Sequence, residues 1–124
     1  MAKTLDCVVC GSTVADVLVR PVRLDVAPGE GTLVEVDPIE VATGGIVSNS
    51  GIAMARLGMS VAALGYLGDD EWAALIRRRL SDAGIDTNAL STHPTAATTT
   101  AVVLIDPSGQ RSFAYCPGAT DQVA

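Results

Sequence analysis

The stretch VATGGIVSNSGIAMARLG, residues 41–58, is the part of the chain that decides the fold. Its first residues are typical of a strand that ends in Gly44-Gly45, and the apolar residues after them recur at helical spacing. Ser48 or Asn49 is predicted to cap this helix, which ends at the glycine that closes the stretch. The two glycines carry no Cβ atom, so they leave backbone N–H groups at the helix start open to a ligand oxygen.

Further strands and a second helix are predicted on both sides of this segment. Residues 5–11 are apolar on both faces, as expected of a central strand covered by helices on each side. Residues 61–67 form the next buried strand. Residues 68–71 open a second helix with acidic side chains in its first turn, where the helix dipole favours them. That helix ends at Gly84, and a short strand follows at residues 89–92.

Two antiparallel ribbons complete the predicted pattern. Residues 17–36 alternate apolar and polar side chains around a turn at residues 28–31, which is typical of a hairpin with one face in water. A second hairpin, at residues 98–116, has Asp, Pro and Gly at the positions that a turn prefers at residues 106–109. The order of elements predicts a three-layer α/β arrangement with an additional small sheet.

The length and charge of the chain restrict its function. The 124 residues suffice for one domain that buries roughly two thirds of its unfolded surface. Eight basic against fourteen acidic residues give a net charge of −6, so we expect no nucleic-acid partner. The first residues lack the pattern of an export signal, and the longest apolar run, residues 61–67, is too short to cross a bilayer. We expect a cytoplasmic protein without a membrane partner.

Three cysteines, Cys7, Cys10 and Cys116, do not indicate a disulfide framework, because their number is odd and no export signal accompanies them. Cys7 and Cys10 are three positions apart in a predicted strand, so their side chains face opposite sides. His93 is the only histidine of the chain. We therefore predict structural cysteines and no metal site.

Asp16, Gly44, Gly45 and Asn49 are the candidate ligand-binding residues. Asn49 both donates and accepts hydrogen bonds, which suits a hydroxyl-rich molecule. Asp16 follows the first strand, where open α/β sheets bind ligands. Other interpretations stay open from these residues alone: the glycines permit tight packing, Asn49 is only a helix cap, and Asp16 is a solvated turn residue.

An ordered set of segments carries a family resemblance. VVCGSTVAD, a ribbon, ATGGIVSNSGIAMARLG, VAALGYLGDDEWAALIRRRLSDAGID and TTTAVVLIDPSGQRSFAYCPGA together resemble the N-terminal part of the ribokinase-like (PfkB) carbohydrate kinases. The resemblance covers nearly the whole chain. It implies an incomplete three-layer α/β/α domain over residues 1–124, with a small β-sheet lid formed by strands at about 17–36 and 98–116.

The resemblance also implies roles for single residues. Asp16 matches the aspartate that binds sugar hydroxyls, Gly44 and Gly45 match the glycine pair that approaches the sugar, and Asn49 matches an asparagine that contacts substrate. Val14 departs from the family pattern, which has an asparagine there, so sugars, sugar acids and nucleosides all remain candidate substrates.

By the same resemblance, the general base and most of the site for ATP and Mg²⁺ belong to a C-terminal half that this sequence lacks. Thr120-Asp121 is typical of a helix cap close to the last residue, which also leads us to expect the front part of a longer protein. We expect an ATP-dependent carbohydrate kinase, a phosphotransferase with an alcohol acceptor, of which these residues supply the acceptor-binding half and are inactive alone.

Two other functions remain open at this point. The first is a non-catalytic remnant that acts as a binding or oligomerisation module, with a homodimer formed through the lid strands. The second is a dinucleotide-binding oxidoreductase fragment, because residues 39–69 also have the order strand, glycines, helix, strand, acid. The glycine spacing G-x-G-x-x-G is missing there.

Overall fold

The computed structural model describes residues 4–122, which form seven strands, two α-helices and a short 3₁₀ helix. The seven strands are β1 (Cys7–Cys10), β2 (Val14–Val19), β3 (Glu40–Gly44), β4 (Val61–Leu67), β5 (Asp86–Thr92), β6 (Thr100–Ile105) and β7 (Arg111–Cys116). The helices are α1 (Gly45–Arg56) between β3 and β4, and α2 (Glu71–Asp82) between β4 and β5. A short 3₁₀ helix, Ala119–Gln122, follows β7. None of the described helices is long and apolar enough to cross a membrane.

The strands form two separate sheets. The first has three parallel strands in the order β1-β4-β5. The second has four strands in the order β3-β2-β6-β7, of which β2 and β6 are parallel and the two outer pairs are antiparallel. The chain crosses between the sheets after β1, after α1 and before β6, so the segment at residues 11–13 and the start of α1 lie where the two sheets meet.

One face of the parallel sheet carries the core. Both helices pack against this face, where Val47 of α1 and Ile76 of α2 are fully buried with Leu67 of β4. The opposite face is exposed in the described residues, with Val8 and Leu64 among its apolar side chains. Within residues 4–122 the first strand lies at the edge of this sheet, because β4 lies between β1 and β5. Its central position stays a prediction.

The second predicted hairpin is confirmed, and the first lies elsewhere. Strands β6 and β7 pair around a turn in which the Gly109 N–H donates to the Asp106 carbonyl at 3.0 Å. Residues 20–39, in contrast, contain no strand, and the antiparallel pair consists of β2 and β3 on either side of them. The alternation of apolar and polar residues and the turn at residues 28–31 predicted a hairpin within residues 17–36. Instead, β2 pairs with β3, with Asp16 opposite Ala42. The lid role of these segments remains a prediction.

The second helix begins and ends as the sequence predicts. Asp70 caps α2 by accepting from the Ala73 N–H at 2.9 Å, and Gly84 follows the helix with a φ of +84°. Asp70 also accepts from the backbone N–H of Thr98 at 2.8 Å and from its hydroxyl at 2.6 Å. This carboxylate therefore ties the end of the parallel sheet to the segment that enters β6.

Replacing Asp70 by alanine is expected to lower the free energy of unfolding by about 2 kcal/mol, because a helix cap is lost and buried donors of Thr98 lose their acceptor. Burial alone would raise the pKa of Asp70, but the hydrogen bonds from Thr98 and Ala73 outweigh it and hold the pKa below its ordinary value. A depressed carboxyl pKa stabilises the folded state above the ordinary value of 3.8, and this contribution is lost as the pH falls through the lower folded-state value. Urea unfolding of the wild type and of Asp70→Ala, at pH 7 and at about pH 2, should show that the substitution lowers the free energy of unfolding less in acid.

The neighbouring exposed carboxylate provides the control for this experiment. Asp69 precedes the cap, and its side chain makes no hydrogen bond within residues 4–122. Asp69→Ala should therefore change the free energy of unfolding by less than about 0.5 kcal/mol. Equal losses in the two variants would contradict the role assigned to Asp70.

Candidate functional site

Asp16 lies inside a strand and not in the turn that the sequence suggested. It is the third residue of β2, paired with Ala42 of β3 on one side and with Ala101 of β6 on the other. Residues paired across neighbouring strands direct their side chains to the same face of the sheet. The carboxylate therefore stands between the side chains of two alanines.

Gly44 lies directly beside this carboxylate. A Cβ atom built on Gly44 would stand 2.2 Å from Asp16 Oδ2 and 3.1 Å from its Cγ. The backbone of Gly44 is extended, with a φ of −125°, so space and not conformation requires glycine here. The structure thus brings together two of the four predicted site residues, at the point where β3 passes into α1.

The Asp16 side chain has no partner within the described chain. The ion pairs of residues 4–122 are Arg20 with Glu40 and Arg23 with Asp25, and no hydrogen bond reaches Asp16 from these residues. Burial raises the pKa of Asp16, because desolvation disfavours the charged form. A half-buried carboxylate without donors is an acceptor for the hydroxyl groups of a ligand.

Gly45 brings the start of α1 onto Ser12. Its φ is +82°, and a Cβ atom there would stand 2.4 Å from the Ser12 carbonyl oxygen. The Ile46 N–H donates to the Ser12 hydroxyl at 3.1 Å, and the Val47 N–H donates to the Ser12 carbonyl at 3.0 Å. Two of the N–H groups that we expected to face a ligand are therefore already satisfied within the chain.

Asn49 lies apart from the helix start. The helix begins at Gly45, and its cap, Gly44, makes no side-chain hydrogen bond, so the prediction that Ser48 or Asn49 caps it was wrong. The physical reason is that Ser12, from a distant part of the sequence, satisfies the first turn. Asn49 is exposed in the second turn of α1, and no hydrogen bond joins its side chain to another of residues 4–122. Its contact with a ligand remains a prediction.

Thr120 holds the segment that leads into β2. Its hydroxyl accepts from the Thr13 N–H at 3.2 Å and donates to the Thr13 carbonyl at 3.0 Å, so it binds the backbone much as a neighbouring strand would. Sequence reasoning missed both Ser12 and Thr120 as supports of the site. Only the short polar run after the first strand, Gly11-Ser12-Thr13, could have indicated Ser12.

The described residues do not offer a metal site. No group of three or more His, Cys, Asp or Glu side chains in residues 4–122 is arranged to hold an ion. Cys7, Cys10 and Cys116 are free thiols. By the resemblance, most of the site for ATP and Mg²⁺ lies outside this sequence, and that location stays a prediction.

The strands around α1 argue against the dinucleotide-binding alternative. In that layout the strands before and after the helix are parallel members of one sheet, and the pyrophosphate contacts the first N–H groups of the helix. Here β3 belongs to the four-stranded sheet and is antiparallel to β2, whereas β4 belongs to the other sheet. Ser12 also accepts hydrogen bonds from two of the first N–H groups of α1.

Comparisons with known proteins agree on one family. Residues 4–124 match the pfkB family carbohydrate kinase. Fructokinase-1 of Oryza sativa subsp. japonica is 36% identical over 84 residues, which are 68% of this chain and 26% of that protein. Aminoimidazole riboside kinase of Salmonella typhimurium is 34% identical over 83 residues, which are 65% of this chain and 26% of that protein.

A solved structure shows the same fold. Arabidopsis thaliana ribokinase, complexed with ribose and ATP, is 29% identical to this chain and superimposes with a TM-score of 0.80 over 94% of this chain and 37% of its own. The chain spans about a quarter of the length of the curated relatives named above. The ribokinase-like α/β fold is therefore confirmed, and because the family match extends over nearly every residue, the chain belongs to the pfkB family of carbohydrate kinases.

Proposed function

We propose that this chain is the acceptor-binding part of a kinase that transfers a phosphoryl group from ATP to a hydroxyl of a small sugar or nucleoside. The observation that carries the proposal is the Asp16 carboxylate, half-buried beside Gly44 and without a partner among the described residues. Its neighbours in the family include fructokinase, aminoimidazole riboside kinase and a ribokinase complexed with ribose and ATP, all of which act on or bind hydroxyl-rich molecules by name.

The arrangement supports binding of the acceptor and not its activation. Burial raises the pKa of Asp16, and in its ionised form the carboxylate accepts hydrogen bonds from two neighbouring hydroxyl groups. Gly44 lets the ligand approach the backbone next to that carboxylate. Asn49, one helical turn further, would supply a donor and an acceptor at the open side.

ATP and Mg²⁺ belong to this proposal only through the family. When bound, they would supply the phosphoryl group and compensate its charge during transfer. No group of three or more His, Cys, Asp or Glu side chains in residues 4–122 is arranged to hold the metal. By the family resemblance, we place the general base and the nucleotide phosphates on residues other than these. The part played by this chain is to bind and orient the hydroxyl-rich acceptor.

The test is a pair of measurements on the 124-residue chain. Calorimetric titration with D-fructose and D-ribose should show saturable binding of at least one of them, whereas a coupled assay of ATP consumption with both sugars should show no turnover. The absence of binding to both sugars would contradict the acceptor site. Turnover by this chain alone would contradict the division of roles between it and the rest of a kinase.

The free edge of β7 supports a second candidate function, that of a binding module which self-associates. All six residues of β7 are exposed, and no strand in the described part of the chain pairs with its outer edge. Such an edge presents unpaired backbone groups to a second copy. Light scattering that shows a defined dimer would favour this function, whereas aggregation would favour a part of a kinase.

A further inference from the structure

We propose that the chain has a second ligand site, on the face of the four-stranded sheet opposite to Asp16, and that this site binds a small neutral molecule with a mostly apolar surface. The site is a cavity of about 850 Å³ between the sheet and residues 20–39, which connect β2 to β3 and are called the connecting segment below. The inference goes beyond the acceptor site, because it concerns another face of the sheet and another class of ligand.

The floor of the cavity lies on the face of the sheet that points away from the acceptor site. It includes Leu104 of β6 and Ser112 of β7, which pair with each other. Side chains alternate between the two faces along a strand, and Leu104 comes three positions after Ala101. Because Ala101 pairs with Asp16, the side chains of Leu104 and Asp16 lie on opposite faces. The sheet therefore separates the cavity from the acceptor site.

The connecting segment is fixed to the rest of the chain at both of its ends. The Val22 N–H donates to the Ile105 carbonyl at 2.9 Å, and the Asp37 N–H donates to the Arg20 carbonyl at 2.8 Å. The residues between these bonds pass over the floor of the cavity and form its walls. Fixed ends restrict the motion of the walls, which lowers the cost of ordering them around a ligand.

The walls carry apolar side chains that the described chain does not cover. None of residues 20–39 is buried, although Leu24, Val26 and Val34 all line the cavity. Val26 is 50% exposed and Val34 is 54% exposed. Single apolar side chains on a surface need no explanation, but a group of them around one cavity indicates a binding surface. Cavities of roughly 300–1,000 Å³ with mostly apolar walls are typical sites for small organic molecules.

The charged groups of the cavity favour a neutral ligand. Arg23 and Glu35 are the charged residues that line it. The Arg23 guanidinium already donates to both carboxylate oxygens of Asp25, at 2.7 and 3.2 Å. Glu35 forms no ion pair within residues 4–122. An anion would therefore meet an unpaired carboxylate and a cation that is already paired. A cation would lose its hydration against walls that are mostly apolar.

The experiment compares two fluorescent probes with the same rings. N-phenyl-1-naphthylamine is neutral, and 8-anilino-1-naphthalenesulfonate differs from it by one sulfonate group. The chain is titrated into a low, fixed concentration of each probe. We expect a Kd of about 0.2 mM or lower for the neutral probe, from the binding energy that a ligand of this size usually gains. The sulfonate should have a Kd about threefold to fivefold higher, because its charge lies near Glu35.

Substitutions in the walls test whether the probe binds in the cavity. Leu24→Gln and Val34→Gln each place a polar amide where the probe would contact an apolar side chain. Either change should raise the Kd of the neutral probe at least about fivefold. Glu35→Gln should reduce the ratio of the two Kd values to below about twofold and leave the neutral probe unaffected.

Leu64→Gln is the matched control, because it makes the same change at a leucine of the other sheet that is 44% exposed. It should leave both Kd values unaltered. Circular dichroism would show that each variant is folded.

Several outcomes would overturn the inference. Unchanged binding of the neutral probe in both Leu24→Gln and Val34→Gln, or its loss in Leu64→Gln, would place the probe outside the cavity. A sulfonate that binds as tightly as the neutral probe would contradict the class of ligand. Displacement of the probe by excess D-ribose would place it in the acceptor site.

A second copy of the chain is the competing occupant of the cavity. A dimer in light scattering that Leu24→Gln dissociates, together with an absence of probe binding, would show that the second copy covers the cavity and would overturn the inference. Failure of D-ribose and D-fructose to bind, with the probe bound as expected, would contradict the proposed function and support this site.

Discussion

Asp16→Asn is expected to weaken acceptor binding by about a hundredfold and to leave the fold as stable as before or more stable. The hundredfold change corresponds to about 2.7 kcal/mol, within the range for hydrogen bonds that a charged acceptor makes. Asparagine has the same shape, but it is neutral and one of its two terminal groups is a donor, so it cannot offer a separate, charged acceptor oxygen to each of two hydroxyls. Titration with D-ribose or D-fructose measures the loss.

The stability side of this prediction follows from the pKa of Asp16. Burial raises this pKa, and the folded state therefore holds the proton more tightly than the unfolded chain. Ionisation of Asp16 thus costs stability as the pH rises through the folded-state value, and the cost disappears below the ordinary value of 3.8. Asp16→Asn removes this cost, so its unfolding temperature at pH 7 should equal or exceed that of the wild type.

Asp82→Asn provides the control for the Asp16 variant. Asp82 is exposed at the end of α2, far along the sequence from the site, and the same change there should leave ligand binding unaltered. A fall in the unfolding temperature of Asp16→Asn together with its binding would contradict the prediction, because the loss would then reflect damage to the fold.

Gly45→Ala is expected to lower the free energy of unfolding by about 3 kcal/mol or more. A φ of +82° costs an L-residue roughly 1–2 kcal/mol. The new Cβ would also stand 2.4 Å from the Ser12 carbonyl oxygen and 2.7 Å from its carbon, so the backbone at Ser12 must move. That movement breaks the two hydrogen bonds that Ser12 accepts from α1, each contributing about 1 kcal/mol.

Gly58→Ala separates the cost of a positive φ from the cost of the contact with Ser12. Gly58 has a φ of +92°, but nothing lies within 4 Å of a Cβ atom built there. This variant should carry only the backbone cost, roughly 1–2 kcal/mol. Urea unfolding of both variants measures the difference, and similar losses at the two positions would show that the contact with Ser12 contributes little.

Local sequence signals predicted those elements whose ends are set by their own residues. Gly58 and Gly84 follow the two helices in the left-handed conformation that only glycine adopts easily, and Asp70 caps α2 from three residues away. The turn at residues 106–109 likewise depends on residues next to one another, and β6 and β7 pair around it as predicted. In each case the interacting groups are close in the sequence.

The start of α1 shows why the same reasoning fails elsewhere. Ser48 and Asn49 are good caps by type, but the N–H groups of the first turn bind Ser12, which is 34 positions before Ile46. The ribbon at residues 17–36 fails for a similar reason, because β2 pairs with β3 beyond that segment and with β6, which comes more than eighty residues later. Pairing between segments this far apart does not produce a local pattern in the sequence, so it could not be predicted from the sequence.

The sequence alone determined the α/β class, the positions of both helices and the second hairpin. It also determined the motif order that is typical of a pfkB family member. Each of these depends on residues that are close together in the sequence. Tertiary structure alone decided that Asp16 lies against Gly44 and that Ser12 accepts from the first N–H groups of α1. It also decided that Ala101 pairs with Asp16 on one side and with Tyr115 on the other. These relations depend on strand register between distant segments, which is fixed by how the two sheets pack and not by any local preference.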